Sequence, residues 1–183
     1  MPTEISGSTG VNKIQDGSVT SAKIVDGAIT NADINSSAAI AGSKISGSFG
    51  KILQVVGMNS TTEVTVSASS ATDTGFTANI TPSATSSKIV VFFETNVANN
   101  NPSSYNRVQL KKVVGGSTTQ LAEKHCEREA YYDYQMCTIN YLDTPNTTSQ
   151  ITYKITAYRQ GGGQGHLGIN GTSTSLLLFE VGA

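Results

Sequence analysis

The sequence predicts an all-β protein with a thin N-terminal repeat stalk and a jelly-roll-like antiparallel β-sandwich knob, assembled as a homotrimer. Three observations lead to this fold class. Residues 13–45 repeat with regularly spaced aliphatic side chains, all twelve aromatic residues lie at or after Phe49, and the chain beyond residue 50 alternates in polarity over short segments. The shift in composition marks a domain boundary. It divides the chain into a lead-in at 1–10, a stalk at 11–49 and a knob at 50–183.

The stalk is predicted from a ten-residue repeat. Lys13–Ala22 is followed directly by the similar Lys23–Ala32, and a third copy carries one extra residue. A five-residue aliphatic spacing matches neither an α-helix nor a heptad seam. So few aliphatic side chains cannot offset about 1–2 kcal/mol of backbone entropy per ordered residue, so we expect the row to be buried against copies of itself around a threefold axis. The predicted axial residues are Ile14, Val19, Ile24, Ile29, Ile34, Ile40, Ile45 and Phe49.

The local conformation of each repeat has two interpretations. Thr20 and Thr30 each precede a short segment that fits an N-cap followed by about one helical turn. A repeat of one helical turn plus a short strand agrees with this pattern, and so does a wholly extended repeat. The sequence does not decide between them.

The knob is predicted to consist of short antiparallel strands, because polarity alternates and turn residues separate the segments. After residue 50 there is no helical period of useful length, which favours a sandwich. In the last strand, the uninterrupted apolar run Leu176–Phe179 indicates that both faces are covered, the second by a neighbouring subunit. The predicted strands are Ile52–Val56, Glu63–Val66, Phe76–Ile80, Lys88–Val97, Arg107–Lys112, Thr118–Lys124, Tyr134–Leu142, Ile151–Tyr158 and Ser175–Val181.

Composition and charge argue against several function classes. A net charge of −1 gives no electrostatic reason to expect nucleic acid as a partner. No segment approaches the roughly 20 apolar residues of a membrane span, so we expect no membrane insertion. The N-terminus lacks the basic start and apolar core of a signal peptide, which predicts synthesis in a cytoplasm without export by that route.

Two segments contain residue types that occur in enzymatic sites. The glycine-rich Arg159–His166 is followed by alternating apolar residues rather than the helix that a phosphate-binding loop needs, so we expect a loop at one end of the sandwich. Paired carboxylates can hydrolyse glycosidic bonds when their separation is fixed, but those near His125 fit a solvated turn. These carboxylates are Glu123, Glu127, Glu129 and Asp133. We predict no catalytic residues, no metal site and no cofactor.

The two cysteines, Cys126 and Cys137, fit no disulfide framework and no zinc spacing. Cys137 has the parity of a core strand residue and is predicted to be a small buried hydrophobe. Cys126 lies among charged residues, and we expect it to be exposed. The alternative is a disulfide bond between them across a hairpin, and synthesis in a reducing cytoplasm argues against it.

A tyrosine cluster is the strongest binding signal. Tyr131, Tyr132 and Tyr134 crowd one connection, with His125 and Arg128 beside them. Aromatic faces next to hydrogen-bonding groups are typical of sugar and protein recognition. Packing against a neighbouring subunit explains the cluster equally well. The predicted receptor-binding residues are His125, Arg128, Tyr131, Tyr132, Tyr134 and, from the glycine-rich loop, Arg159.

Several segments, in this order along the chain, resemble fibre proteins of tailed bacteriophages, notably those of aquatic hosts such as cyanobacteria. They are Gly50–Val55, Ile80–Ser83 leading into Ser86–Ile89, Leu142–Ser149 before Thr152–Lys154, and the terminal Leu177–Val181. The decapeptide repeat is similar to the shafts of such proteins. The resemblance implies a homotrimeric virion fibre with a C-terminal knob, made in the host bacterial cytoplasm and located in the virion. It assigns no binding residues.

Two function classes follow. The first is a non-enzymatic tail or baseplate fibre that contacts a host surface glycan or protein, with a capsid head fibre or decoration protein as the alternative location. Residues 1–12 are then expected to attach it to another virion protein, because no separate N-terminal anchor domain precedes the repeats. The second is a small virion-borne glycan depolymerase that uses the carboxylates near residues 123–133. The sequence favours the first.

Overall fold

A computed structural model describes residues 20–35, 37–38, 52–126 and 134–182 of the 183-residue chain, without the side chains of Ser21 and Asn31. The chain divides into two units, Met1–Gly47 and Ser48–Ala183, and each is described by itself. Of the predicted axial residues, Ile24, Ile29 and Ile34 lie within the described part. Outside it lie Ile14, Val19, Ile40, Ile45 and Phe49.

In the first unit, two copies of the repeat contain a 3₁₀ turn at the same place, Ser21–Lys23 and Asn31–Asp33. The Thr30 backbone N–H and hydroxyl donate to Asp33 Oδ2 at 2.8 and 2.7 Å, so the carboxylate reaches back over the start of the turn. These bonds lower the pKa of Asp33. Of the two interpretations of the repeat, the helical turn is the one that these residues adopt.

The second unit is all-β. Its described residues form ten strands and one 3₁₀ turn, Ile169–Gly171. The strands are β1 Ile52–Ser60, β2 Val64–Val66, β3 Thr72–Ile80, β4 Lys88–Asn99, β5 Tyr105–Val114, β6 Ser117–Cys126, β7 Gln135–Asp143, β8 Ile151–Gln160, β9 Gly165–Leu167 and β10 Thr174–Val181.

The strands form two antiparallel sheets. In sheet A, β4 pairs with β7 along one edge and with β10 and β9 along the other, and β1 and β2 pair with β10 and β9 respectively. Sheet B has the order β3–β8–β5–β6. Strands β9 and β10 lie end to end beside β4, and β2 and β1 lie end to end beside them. Sheet A therefore has four strand positions, and the unit is a sandwich of two four-stranded layers. The predicted all-β, jelly-roll-like antiparallel sandwich agrees with this architecture.

The core lies between the inward faces of the two sheets, as the alternation predicted. On β4, the inward residues from Ile89 to Val97 are all buried, and Phe93 packs beside Phe76 of β3 with ring centroids 6.4 Å apart. On β8, Ile151, Tyr153 and Ile155 are fully buried. Alternating apolar residues on paired strands therefore produce one continuous core.

Successive strands reverse direction, so the connections collect at two ends. The proximal end holds Ile52, the connections 81–87, 115–116 and 144–150, and Gly182. The distal end holds the connections 67–71, 100–104 and 161–164, together with Cys126 and Tyr134. Ile52, the first described residue of the sandwich, therefore lies at the end opposite Cys126, Tyr134 and the glycine-rich connection.

Some local expectations differ from the structure. The prediction that Cys126 is exposed is wrong, because it lies at the inward end of β6 with 2% of its surface accessible. On β10, Leu176 and Leu178 are buried, whereas Leu177 and Phe179 are only partly covered within one chain. Cover by a neighbouring subunit stays a prediction.

Candidate binding surface at the distal end

The distal half of sheet B carries a polar and aromatic cluster on its outer face. Tyr105, Arg107 and Gln109 alternate on β5 and point away from the core residues Val108 and Leu110. On the neighbouring strand β6, His125 is in register with Arg107 and Glu123 with Gln109. Alternation on two paired strands thus places these five polar and aromatic side chains on one face.

Glu123 lies at the centre of this cluster. Its Oε1 is 2.5 Å from Arg107 Nη1 and 3.5 Å from His125 Nε2, and its Oε2 accepts a hydrogen bond from Gln109 Nε2 at 2.6 Å. The Gln109 bond and then the Arg107 bond hold the pKa of Glu123 below its usual value, and Glu123 raises the pKa of Arg107. Both charges are therefore held in fixed positions at the surface.

The aromatic part of the cluster stacks on this charged part. The Tyr105 ring lies 5.8 Å from the His125 ring at an interplanar angle of 20°, and the Arg107 guanidinium lies 5.7 Å from the centre of the Tyr105 ring. Arg107 Nε also donates to Gln160 Oε1 at 2.9 Å. Arg107, fixed in place by its polar contacts, therefore offers hydrogen-bond donors next to the surface of the aromatic rings.

On the sheet A side of the same end, Tyr134 precedes β7 and is exposed. Its hydroxyl accepts a hydrogen bond from Asn170 Nδ2 at 2.9 Å. Asn170 belongs to the Ile169–Gly171 turn and has a left-handed backbone with φ of 56°. The bond ties the start of β7 to the turn between β9 and β10.

An open cavity of about 330 Å³ lies between the end of β6 and the start of β7. Polar side chains line most of it, and a thiol and a thioether contribute the rest. The lining residues are Lys124, His125, Cys126, Gln135 and Met136. The cavity therefore lies between β7 and the polar and aromatic cluster of sheet B, which we call the His125 cluster.

The structure brings only part of the predicted binding set together. His125 and Tyr134 both lie at the distal end, and residues 127–133, which are outside the described part of the chain, come between them in sequence. Arg159 lies there too, but its guanidinium donates to the carbonyls of Ser67, at 2.8 Å, and of Gly161, so it links neighbouring connections. Arg128, Tyr131 and Tyr132 lie outside the described residues.

Sequence reasoning missed Tyr105, Arg107 and Gln109 as partners of His125. Their alternation with Val108 and Leu110 is visible in the sequence and is enough to assign them to the other face of the strand. What was missing was the pairing of β5 with β6 in a register that sets Arg107 opposite His125. Periodicity assigns a residue to a face but does not identify its cross-strand neighbour.

Comparison with known proteins gives a likeness of fold. No protein-family model matches this chain, and no curated protein does. The structure of Eiger TNF from S. frugiperda is similar, with a TM-score of 0.50 and 8% identity over 70% of this chain and 92% of that one. The likeness is one of fold alone.

Viral particle proteins are also among the similar solved structures. The VP2 subviral particle of infectious bursal disease virus has a TM-score of 0.42 and 15% identity, and the T13 particle of that virus has 0.42 and 13%. The matches cover 71% and 72% of this chain. They span only 38% and 36% of those viral chains. These low TM-scores carry no argument about function.

The described residues show no grouping that would hold a metal. Within 20–35, 37–38, 52–126 and 134–182, no three His, Cys, Asp or Glu side chains converge. The helical segments described in this chain are also too short and polar to cross a membrane. The distal end combines aromatic rings, the Arg107–Glu123 ion pair and a small open cavity, and this combination suits binding.

Proposed function

We propose that this chain is a homotrimeric structural fibre of a tailed-bacteriophage virion, with residues 11–49 as the stalk and the sandwich as the terminal knob. In this proposal it is a tail or baseplate fibre that binds a host surface glycan or protein. Another virion protein holds it through its N-terminus. The phage assignment rests on the sequence resemblance. The structural observation that carries the trimer is the apolar outer face of sheet A.

This face is apolar across all four strand positions near the proximal end. The register places Val55 of β1 beside Phe179 of β10, Phe179 beside Val90 of β4, and Val90 beside Leu142 of β7. In the next row Phe92 contacts Phe179 edge to face, with ring centroids 5.7 Å apart. The exposed fractions are 54% for Val55, 44% for Phe92 and 57% for Leu142.

A second and third copy of this chain are the occupants that we propose for this face. A contiguous apolar surface on a sheet marks a contact surface. The repeats also expose Ile24, Ile29 and Ile34, which need copies of themselves for burial. Because both surfaces belong to one chain, the same assembly covers both, and closed rotational symmetry is the simplest arrangement.

The distal end is the surface that we propose for attachment. It lies opposite Ile52, where the chain enters the sandwich, and it combines the His125 cluster with Tyr134 and the cavity. Of the four carboxylates named for the depolymerase alternative, Glu123 is the one within the described residues, and it is unsuited to the role of the acid. A glycosidase acid must hold a proton near neutral pH, whereas the hydrogen bonds from Gln109 and Arg107 lower the pKa of Glu123.

Sedimentation of a fragment spanning residues 48–183 tests the assembly. We expect a trimer for the unchanged fragment. Phe92→Asp should give a folded monomer, because a carboxylate on the contact face would have to be desolvated. Thr119→Asp, at an exposed position on β6, is the matched control and should remain trimeric. A stable monomer of the unchanged fragment would show that sheet A is not the contact surface.

Binding of fluorescently labelled protein to host cells tests attachment. We expect the triple change of Tyr131, Tyr132 and Tyr134 to Ser to abolish binding while the protein stays trimeric, because three copies of a weak site act together. A change of Thr147, Thr148 and Ser149 to Ala at the proximal end is the control and should bind normally. Full binding by the tyrosine variant would remove those residues from the site, and loss of the trimer would place them at the subunit contact.

A further inference from the structure

The strands that flank the tyrosine-rich connection carry the two cysteines. Cys126 is the last residue of β6, at an edge of sheet B, and Cys137 lies near the start of β7, at an edge of sheet A. Both are buried, with 2% and 0% of their surface accessible. Both thiols are free and belong to the same buried core cluster, and strands β6 and β7 contact each other.

We infer that Cys126 and Cys137 are a redox-responsive pair, which a small-molecule disulfide such as oxidised glutathione converts into an intramolecular disulfide joining sheet A to sheet B. The bond holds the two sulfur atoms about 2.05 Å apart. It closes a ring around the ten residues 127–136. The protein made in a reducing cytoplasm carries two thiols, and the bond forms when the surroundings become oxidising.

The geometry assigns different roles to the two sulfur atoms. Cys126 lines the open cavity together with Lys124 and His125, so a small disulfide can approach it. The hydrogen bond from the Cys137 thiol lowers the pKa of Cys126, which favours the reactive thiolate there. Cys137 does not line the cavity, and its hydrogen bond to Cys126 together with burial raises its thiol pKa. Cys126 is therefore the attacking group and Cys137 the resolving group.

The exchange balances in two steps. The Cys126 thiolate attacks one sulfur of oxidised glutathione, which forms a mixed disulfide and releases one glutathione thiolate. Cys126 is then no longer a thiolate, so it no longer accepts a hydrogen bond from the Cys137 thiol. The Cys137 thiol gives its proton to the solvent, and its sulfur attacks Cys126 Sγ and releases the second glutathione as a thiolate. The two glutathione thiolates take up the two protons that the cysteines have lost. Two protein thiols are oxidised, and one glutathione disulfide is reduced to two thiols.

Intact-mass analysis of the full chain tests the pair. The folded protein is incubated with oxidised glutathione, alkylated and weighed. We expect unchanged protein to lose two hydrogen atoms and to carry neither glutathione nor alkyl groups. Cys137→Ala should retain one glutathione on Cys126, because the resolving thiol is gone. Cys126→Ala should remain unmodified until it is unfolded, because Cys137 is shielded.

Other outcomes of the same experiment overturn the inference. Stable glutathione adducts on unchanged protein, disulfide-linked dimers, or modification of Cys137 in Cys126→Ala would each show that the two thiols do not act as a pair. These masses are independent of oligomeric state and of host binding. Failure of the pair and failure of the proposed fibre function are therefore distinguishable.

Thermal unfolding supplies a second measurement. A ring of this length restricts the unfolded chain, so oxidation should raise the unfolding midpoint by on the order of 5–10 °C. Dithiothreitol should reverse the shift. The double variant Cys126→Ala with Cys137→Ala should show one midpoint in both conditions. An equal shift in that variant, or no shift in oxidised unchanged protein, contradicts a disulfide between the two sheets.

Discussion

At the scale of single residues, Glu180 is a charged residue inside the sandwich. Its side chain is fully buried near the proximal end of β10. Oε1 accepts hydrogen bonds from the Ser83 backbone N–H and hydroxyl at 2.7 and 2.6 Å, and Oε2 accepts one from Gln54 Nε2 at 2.5 Å. The carboxylate therefore fastens β1 and the connection after β3 to the last strand.

These bonds should make the sandwich sensitive to acid. Burial by itself would raise the pKa of Glu180, but the hydrogen bonds together outweigh burial and lower this pKa to about 2. A lowered pKa in the folded state adds stability above the unfolded value near 4.5, and this contribution is lost as the pH falls from 4.5 towards 2. We expect Glu180→Gln to remove about 3 kcal/mol at neutral pH, measured by urea unfolding at pH 7.

The pH dependence separates this charge effect from simple damage to packing. Between pH 5 and pH 2 the unchanged protein should lose stability more steeply than Glu180→Gln, whose own side chain does not titrate. Glu94→Gln, at an exposed position on the neighbouring β4, should behave like the unchanged protein. Equal slopes for unchanged protein and Glu180→Gln would rule out the buried carboxylate as the acid-sensitive group.

At the scale of strands and sheets, the sequence predicted most of the architecture, because the buried faces alternate strictly. The alternating apolar residues of the predicted strands Lys88–Val97 and Ile151–Tyr158 are buried in the structure. The apolar run at the end of the chain was harder to interpret. Glu180 has the same parity as Leu176 and Leu178, yet a carboxylate satisfied by distant Ser83 and Gln54 leaves no periodic signal.

Interrupted strands were also beyond sequence reasoning. β9 spans only Gly165–Leu167, and the Ile169–Gly171 turn separates it from β10. A Cβ at Gly165 would overlap Asn106 Oδ1, so glycine there reflects close approach to a strand of the other sheet. Such contacts depend on sheet stacking, which neither composition nor periodicity reports.

The sequence predicted where along the chain the candidate site lies. It did not predict which residues of other strands contribute to the site. His125 and Tyr134 were selected because aromatic and charged residues crowd residues 125–134. Tyr105 stacks on His125 from a strand twenty residues earlier, through pairing in sheet B. Arg159 was selected for its place beside glycines, and its hydrogen bonds to the carbonyls of Ser67 and Gly161 give it a positioning role.

At the scale of the whole molecule, the sandwich presents surfaces of different chemistry. The outer face of sheet A is apolar where Val55, Val90, Phe179 and Leu142 align. The outer face of sheet B holds the Glu123 network and its rings. A trimer that covers the first surface and leaves the second exposed would bury apolar area and keep the charged cluster in solvent.

The repeats give the last prediction, since their aliphatic side chains have no cover within the described part of one chain. Ile24, Ile29 and Ile34 are exposed although they recur every five residues. If they meet on a threefold axis, Ile29→Asp brings three carboxylates together away from water, and desolvation and repulsion should separate the repeats. We expect new protease cleavage within residues 11–48, detected by mass spectrometry of timed digests. Ala28→Asp introduces the same charge at the neighbouring exposed position, off the five-residue spacing, and should leave the digest unchanged. Equal digests for Ile29→Asp and Ala28→Asp would show that Ile29 does not lie on the axis.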